Sequence, residues 1–205
     1  LPTASPASLG VDPERLAALA AEAEPAGSSC FVALRRGTVV GEWHWRGATP
    51  TSRREVFSVT KSVTSTLVGI AADADLLDID LPAAEHIPSW RATDAAALTV
   101  RNLLSNDSGR EWSATSDHST LLKAPDRTAY AVGLAQEHPP GEVWAYNNAA
   151  IQTLDAVLAR ASGQRTAQFA QQRLFGPVGM RLRTPLDEIN GLGAPVDPTQ
   201  ARMVP

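Results

Sequence analysis

Phe57-Ser58-Val59-Thr60-Lys61-Ser62 places a serine and a lysine three residues apart at the start of a helical pattern. Residues at this spacing lie on the same side of a helix. A serine hydroxyl is a weak nucleophile until a neighbour takes its proton, and a lysine of lowered pKa can do so. The chain has sixteen arginines and only two lysines, Lys61 and Lys123. The spacing therefore predicts a Ser58–Lys61 pair, with a capping serine and a solvated lysine as the alternative.

The helix that carries this pair is predicted from about Ser58 to Ala72. Its apolar residues recur at helical spacing, which predicts one buried face. These residues are Val59, Val63, Leu67 and Ile70.

A second candidate stretch is Pro140-Gly141-Glu142-Val143-Trp144-Ala145-Tyr146-Asn147-Asn148. A tyrosine beside a cationic lysine ionises more easily and can carry a proton. An asparagine side chain can bind the lysine and a substrate carbonyl at the same time. Taken alone, this stretch equally fits a packing tyrosine and a helix-capping asparagine.

The order of predicted elements indicates an α+β fold. Asp12-Pro13 is typical of a helix start, and two strands, Cys30–Leu34 and Val39–Trp45, follow it as a hairpin. Mostly helical segments come next, including residues 128–137, 148–162 and 166–174. We expect Cys30 to be a small buried residue.

Composition excludes several classes of protein. The 205 residues are 43% hydrophobic and 20% charged, with a formal net charge of -4, which is ordinary globular usage. No basic tract indicates a nucleic-acid partner, and no apolar run reaches the ~20 residues of a membrane span. The four histidines lack metal-ligand spacing, so we expect no metal.

Four stretches stand in an order that resembles the serine β-lactamase-related superfamily, which includes class C β-lactamases, D-amino-acid peptidases, esterases and 6-aminohexanoate-dimer hydrolases. The resemblance implies a β-lactamase/transpeptidase-like fold, with an antiparallel sheet packed with helices plus a mostly helical subdomain. The matching stretches are Phe57–Ser62, Leu103-Leu104-Ser105-Asn106-Asp107-Ser108-Gly109, Pro140–Asn148 and Leu174-Phe175-Gly176-Pro177-Val178-Gly179-Met180.

The resemblance also implies a mechanism without a cofactor, in the manner of S-x-x-K enzymes. Ser58 would be the acylated nucleophile, Lys61 would help to take its proton, and Tyr146 would relay that proton to the leaving group. Asn148 matches the asparagine of the family's Tyr-x-Asn motif and is expected to bind substrate. The expected substrate is a small amide or ester.

Departures from the family pattern favour a subgroup. Asn106-Asp107-Ser108-Gly109 replaces the usual His-Thr-Ser-Gly, and no Lys-Thr-Gly or His-x-Gly is present. These features favour a 6-aminohexanoate-oligomer hydrolase or esterase. The alternatives are a β-lactamase or D-amino-acid peptidase, or a non-catalytic relic or fragment of the fold. Gly191-Leu192-Gly193 reads as a turn, and we expect the family's C-terminal strands to be missing.

The remaining expectations concern organisation and surroundings. We divide the chain into an N-terminal helix, hairpin and nucleophile helix (1–74), a mostly helical part (75–175) and an irregular tail (176–205). Trp112 and Trp144 flank two motifs and are candidates for the substrate cleft. Asp107, Asp117 and Glu111 are interpreted as solvated loop residues. A homodimer is left open, as is a cytoplasmic or exported location in a bacterium.

Overall fold

A computed structural model describes residues 1–52, 56–182 and 203–204 of the chain. The chain separates into two compact units, Leu1–Arg53 and Arg54–Val204. The predicted boundaries at residues 74 and 175 stay predictions.

The first unit consists of a short 3₁₀ turn (Pro6–Leu9), helix α1 (Pro13–Ala23) and a hairpin of strands β1 (Cys30–Arg35) and β2 (Thr38–His44). The Asp12 carboxylate caps α1 by accepting hydrogen bonds from the backbone N–H groups of Glu14 and Arg15, at 2.9 and 3.1 Å. The two strands are antiparallel and pair Cys30 with His44. The predicted hairpin is therefore confirmed, but Cys30 is exposed and not buried.

The second unit is mostly helical. Its first and longest helix, α2, begins at Val59 and ends at Asp73, within a residue of the prediction at each end. The helices that follow are α3 (Val100–Ser105), α4 (Leu121–Lys123), α5 (Arg127–Gly133), α6 (Asn148–Gln152), α7 (Leu154–Ser162) and α8 (Thr166–Ala170). Single 3₁₀ or π turns cover Ala83–Glu85, Pro88–Trp90, Ser116–Thr120 and Gln171–Phe175, and a two-residue strand pair joins β3 (Arg181–Leu182) to β4 (Met203–Val204).

The core of the second unit forms between α2, α3, α7 and α8. Leu67 of α2 and Leu158 of α7 are completely buried there. Removing a leucine side chain from water contributes roughly 1.5–3 kcal/mol, so the burial of Leu67 in this core anchors α2. The predicted apolar face of α2 is correct at Leu67 but wrong at Val59, which is 60% exposed because it lies in the first turn.

Two helix predictions differ from the structure for local reasons. The helix expected over 148–162 is divided at Thr153, whose hydroxyl donates to the Ala150 carbonyl at 2.6 Å and interrupts the regular pattern. The helix expected over 128–137 ends at Gly133, because residues 135 and 136 pair instead with residues 110 and 111.

Candidate active site

Helix α2 carries two of the predicted site residues. Ser58 immediately precedes the helix and Lys61 lies in its first turn. The Lys61 amine, Nζ, lies 3.2 Å from the Ser58 hydroxyl oxygen, Oγ. The ordered core around Leu67 fixes the helix, and the spacing of three residues then brings the two side chains together.

The backbone just before Ser58 is unusual. Phe57 has a φ of 42°, in the left-handed region that residues with a side chain rarely adopt. Such conformations cost on the order of 1–3 kcal/mol and are found preferentially at functional sites. The Phe57 ring is 77% exposed, so side-chain burial does not offset the cost.

A turn over residues 106–111 holds the segment that carries Tyr146. The Asp107 carbonyl accepts a hydrogen bond from the Gly141 N–H at 2.7 Å, and the Asn106 carbonyl accepts one from the Ala145 N–H at 2.8 Å. Gly109 has a φ of 69° and passes so close to His138 that a Cβ atom would lie 2.2 Å from the His138 carbonyl oxygen. The variant Asn106–Gly109 motif is thus a structural turn that positions the second candidate stretch.

Asn147 and Asn148 serve different purposes. The Asn147 side chain caps α6 by accepting from the Ala150 N–H at 2.8 Å. Its amide nitrogen donates to the carbonyls of Arg110 and Glu111, at 3.3 and 3.1 Å. Asn147 is thus the capping asparagine of this stretch. Its neighbour Asn148 is the one that contacts the lysine.

The structure brings Tyr146 to the Ser58–Lys61 pair. The Tyr146 hydroxyl donates to Ser58 Oγ at 2.7 Å. Lys61 Nζ lies 4.8 Å from the centre of the Tyr146 ring. Ser58 Oγ therefore accepts from a phenol and an amine at once, although the phenol comes from a residue 88 positions away.

The same amine also contacts Asn148. Lys61 Nζ donates to Asn148 Oδ1 at 2.6 Å. Asn148 Nδ2 in turn donates to Asp117 Oδ2 at 2.7 Å. A continuous series of hydrogen bonds thus runs from Tyr146 through Ser58, Lys61 and Asn148 to Asp117.

The pKa of the Tyr146 phenol is lowered. Burial acts in the opposite direction and raises this pKa, but the hydrogen bond to Ser58 and the adjacent Lys61 together outweigh burial. Asp117 also opposes the lowering through its negative charge. The phenol therefore gives up its proton more easily than a free tyrosine does.

Asp117 is the residue that sequence reasoning missed. The prediction of a solvated side chain is wrong here, because Asp117 is 2% exposed. Asp107, by contrast, is half-buried and accepts from Asn102 and Ser105 within the turn. No sequence pattern reveals Asp117, because 31 positions separate it from Asn148 and its short turn carries no periodicity from which burial can be inferred.

The two candidate cleft tryptophans stand next to the turn and to Tyr146 in sequence. Trp112 is 45% exposed and Trp144 is 67% exposed. Neither packs in the core, unlike Trp90, which is buried and lies under the Arg110 guanidinium at 4.4 Å. Gly191-Leu192-Gly193 lies outside the described residues.

Within the described ranges, no group of three or more His, Cys, Asp or Glu side chains could bind a metal ion. Over the same residues, no helix is long and apolar enough to cross a membrane. The groups that meet at the site are a serine hydroxyl, an amine and a phenol.

Fold and site together define a β-lactamase/transpeptidase-like protein. The sequence profile of the Beta-lactamase family matches residues 17–182, so this chain belongs to that family, within the serine β-lactamase-related superfamily. Family members are serine hydrolases.

Curated relatives are distant. A D-aminopeptidase from Cereibacter sphaeroides (strain KD131 / KCTC 12085) is 26% identical over 179 residues, covering 77% of this chain and 34% of the relative. The esterase/β-lactamase LipL of Mycobacterium tuberculosis is 41% identical over 54 residues, covering 26% of this chain and 13% of the relative. The chain thus spans about a third or less of the length of these relatives.

Solved structures share the fold. A class C β-lactamase from Rhodobacter sphaeroides has a TM-score of 0.62 at 20% identity, covering 92% of this chain and 60% of that structure. A Bacillus anthracis protein, provisionally assigned as a 6-aminohexanoate-dimer hydrolase, has a TM-score of 0.70 at 17% identity, covering 90% and 52%. These likenesses establish the fold alone.

Proposed function

We propose that this protein is a serine hydrolase that cleaves an amide or ester through an acyl-serine intermediate. One observation carries the proposal: Ser58 Oγ receives hydrogen bonds from both Lys61 and Tyr146, at 3.2 and 2.7 Å. A hydroxyl held between an amine and a phenol has two groups that can accept or return a proton. A capping serine would instead bond to its own helix, whereas the Ser58 side chain makes no capping hydrogen bond.

The proton balance of the reaction follows from these contacts. Neutral Lys61 takes the Ser58 proton as Oγ attacks the substrate carbonyl carbon, and a tetrahedral oxyanion forms. The carbon–nitrogen or carbon–oxygen bond then breaks, and Tyr146 gives a proton to the leaving group. Lys61 returns a proton to Tyr146, and water hydrolyses the acyl-serine.

The oxyanion needs hydrogen-bond donors where its charge develops. We propose the Ser58 N–H, at the start of helix α2, as one donor. Losing one such donor typically costs about 3–4 kcal/mol in the barrier.

Within this class we favour a 6-aminohexanoate-oligomer hydrolase or esterase. The Asn106–Gly109 form of the turn, Asn-Asp-Ser-Gly in place of His-Thr-Ser-Gly, supports this choice. A β-lactamase or D-amino-acid peptidase is the first alternative, favoured by the matches to LipL and to the D-aminopeptidase.

A non-catalytic relic or fragment of the fold is the alternative from a different class. Such a protein would keep the helices and bind a ligand without turnover.

A covalent probe separates the enzyme from the relic. A fluorophosphonate or labelled penicillin should attach to Ser58, as judged by intact mass and peptide mapping, and Ser58→Ala should abolish the label. Ser65→Ala, an exposed serine on the same helix, is the matched control and should label normally. Folded wild-type protein that takes up neither probe would favour the relic.

Trp112 and Trp144 are proposed to line the substrate cleft. Both are exposed and adjacent in sequence to residues that hold Tyr146 in place. Trp112→Ala or Trp144→Ala should raise KM for an apolar ester with little change in kcat. An unchanged KM across several esters would contradict the assignment.

A further inference from the structure

Asp117 is a buried carboxylate whose two oxygens both point at the segment after Tyr146. Its side chain is 1% exposed. Oδ2 accepts from Asn148 Nδ2 at 2.7 Å, and Oδ1 accepts from the Ala149 N–H at 2.9 Å. Burying a carboxylate costs free energy unless it is well hydrogen-bonded. At Asp117 the hydrogen bonds from Asn148 and Ala149 offset that cost.

An ionised carboxylate can only accept hydrogen bonds, and this property fixes the neighbouring amide. The Asn148 carboxamide has a donating end and an accepting end. Because Asp117 accepts, Asn148 must turn its nitrogen toward Asp117. Its oxygen then faces Lys61, as the Nζ to Oδ1 distance of 2.6 Å reflects.

The orientation of Asn148 matters most when Lys61 is neutral. A neutral amine has two N–H donors and one lone pair. With the Asn148 oxygen facing it, Lys61 uses an N–H for Asn148 and keeps its lone pair for the Ser58 proton. If Asn148 were reversed, its amide nitrogen would donate into that lone pair and compete with Ser58.

We propose that Asp117 is a positioning residue, which locks the Asn148 carboxamide so that the Lys61 lone pair remains free to accept the Ser58 proton. The inference rests on the proposed hydrolase function. Asp117 itself stays away from substrate and acts only through Asn148.

Other charged groups around Asp117 affect how the effect is measured. His118 Nε2 lies 3.9 Å from Oδ2, and the His118 side chain is largely exposed. Lys61 lies beyond Asn148, and Tyr146 feels the charge of Asp117. The variants should therefore also be compared in a His118→Gln background, which removes the imidazole from the pH profile.

The first test is Asp117→Asn. The new side chain keeps the shape and, through its oxygen, can keep the bond to the Ala149 N–H. The side-chain nitrogen of the new asparagine then faces Asn148. The Asn148 carboxamide must turn over so that its oxygen accepts this hydrogen bond, and its own nitrogen then faces Lys61. We expect Ser58 acylation to slow by ~10–100-fold, the range seen when a hydrogen-bond partner that orients a metal ligand is lost.

The pH profile distinguishes positioning from general damage to the structure. Reversal removes an acceptor from the ammonium form of Lys61, and the substitution also removes a nearby negative charge. Both changes favour the neutral amine, so the acidic limb of the acylation rate should move to lower pH even as the maximum falls. A loss of folded protein alone would lower the maximum without moving the limb.

A reciprocal swap provides the rescue. In Asp117→Asn combined with Asn148→Asp, the residue at 117 donates and the residue at 148 accepts from it and from Lys61. The pairing is complete again, with the carboxylate now beside Lys61. We expect acylation faster than in Asp117→Asn at high pH, with the acidic limb moved to higher pH. Asn148→Asp alone opposes two carboxylates and should remain slow.

Asp155→Asn is the matched control. Asp155 is half-buried in α7, accepts from the Thr128 hydroxyl at 2.7 Å and has no hydrogen bond to the Ser58 site. This variant should keep the wild-type rate and pH profile. If Asp117→Asn behaves like Asp155→Asn, or if the swap never exceeds Asp117→Asn, the positioning role is overturned.

A spectroscopic measurement separates this inference from the proposed function. In ¹H–¹⁵N spectra, one Asn148 amide proton should be shifted downfield by its bond to Asp117 and should move in Asp117→Asn. A chain that takes up no probe yet shows this shift would refute the hydrolase function while leaving the orientation of Asn148 established. An Asn148 amide insensitive to Asp117→Asn would refute the lock itself.

Discussion

Tyr146→Phe isolates the contribution of one hydroxyl group. The substitution removes the 2.7 Å hydrogen bond to Ser58 Oγ. It retains the aromatic ring, which lies 4.8 Å from Lys61 Nζ. Lys61 remains 3.2 Å from Ser58 Oγ, so the variant keeps the base and loses the proton carrier.

The expected magnitude follows from the two roles of the hydroxyl. Positioned proton transfer contributes typically ~10²–10⁴-fold, which corresponds to about 3–5 kcal/mol of barrier. The net contribution of one hydrogen bond to stability is only ~0.5–1.5 kcal/mol, and Tyr146 is 40% exposed, which favours the lower end. We therefore expect a large loss of rate with almost no change in the free energy of unfolding.

The assay is the rate of Ser58 acylation by a fluorophosphonate and the turnover of a chromogenic ester, each across pH. Thermal and urea unfolding measure stability on the same samples. Tyr130→Phe is the control, because Tyr130 packs against a separate small cluster that contains Leu121 and Ala131. An unchanged acylation and turnover rate in Tyr146→Phe would refute the role of the phenol.

Two further predictions concern the ionisation of Tyr146 and the turn at Gly109. The ultraviolet difference spectrum between wild type and Tyr146→Phe should show a phenol that ionises below the usual pKa of tyrosine. Lys61→Met should raise the pKa of this phenol, because the adjacent positive charge is lost. A phenol pKa that is unchanged in Lys61→Met would contradict the contact. Gly109→Ala should destabilise the fold by roughly 3 kcal/mol or more and slow acylation, because its Cβ would collide with the His138 carbonyl. Gly163→Ala is its control: it has a similar φ with nothing within 4 Å, so urea unfolding should register only the left-handed cost of about 1–2 kcal/mol.

Sequence alone was sufficient where the deciding interactions are local. The Asp12 cap, the β1–β2 hairpin and the length of α2 follow from neighbours within a few residues. The Ser58–Lys61 contact is of the same kind, because a spacing of three residues on a helix brings two side chains together whatever the rest of the chain does. The family also follows from the sequence, through motifs read in order.

Only the tertiary structure determines which of these local elements contact one another. Tyr146 reaches Ser58 across 88 positions, and Asn148 reaches Asp117 across 31. Neither separation has a periodicity that a sequence pattern could register. Aspartate is usually exposed, so the sequence predicts a solvated Asp117. Its burial depends on the packing of α6 and the turn at Ser116–Thr120 around it, which exists only once the chain has folded.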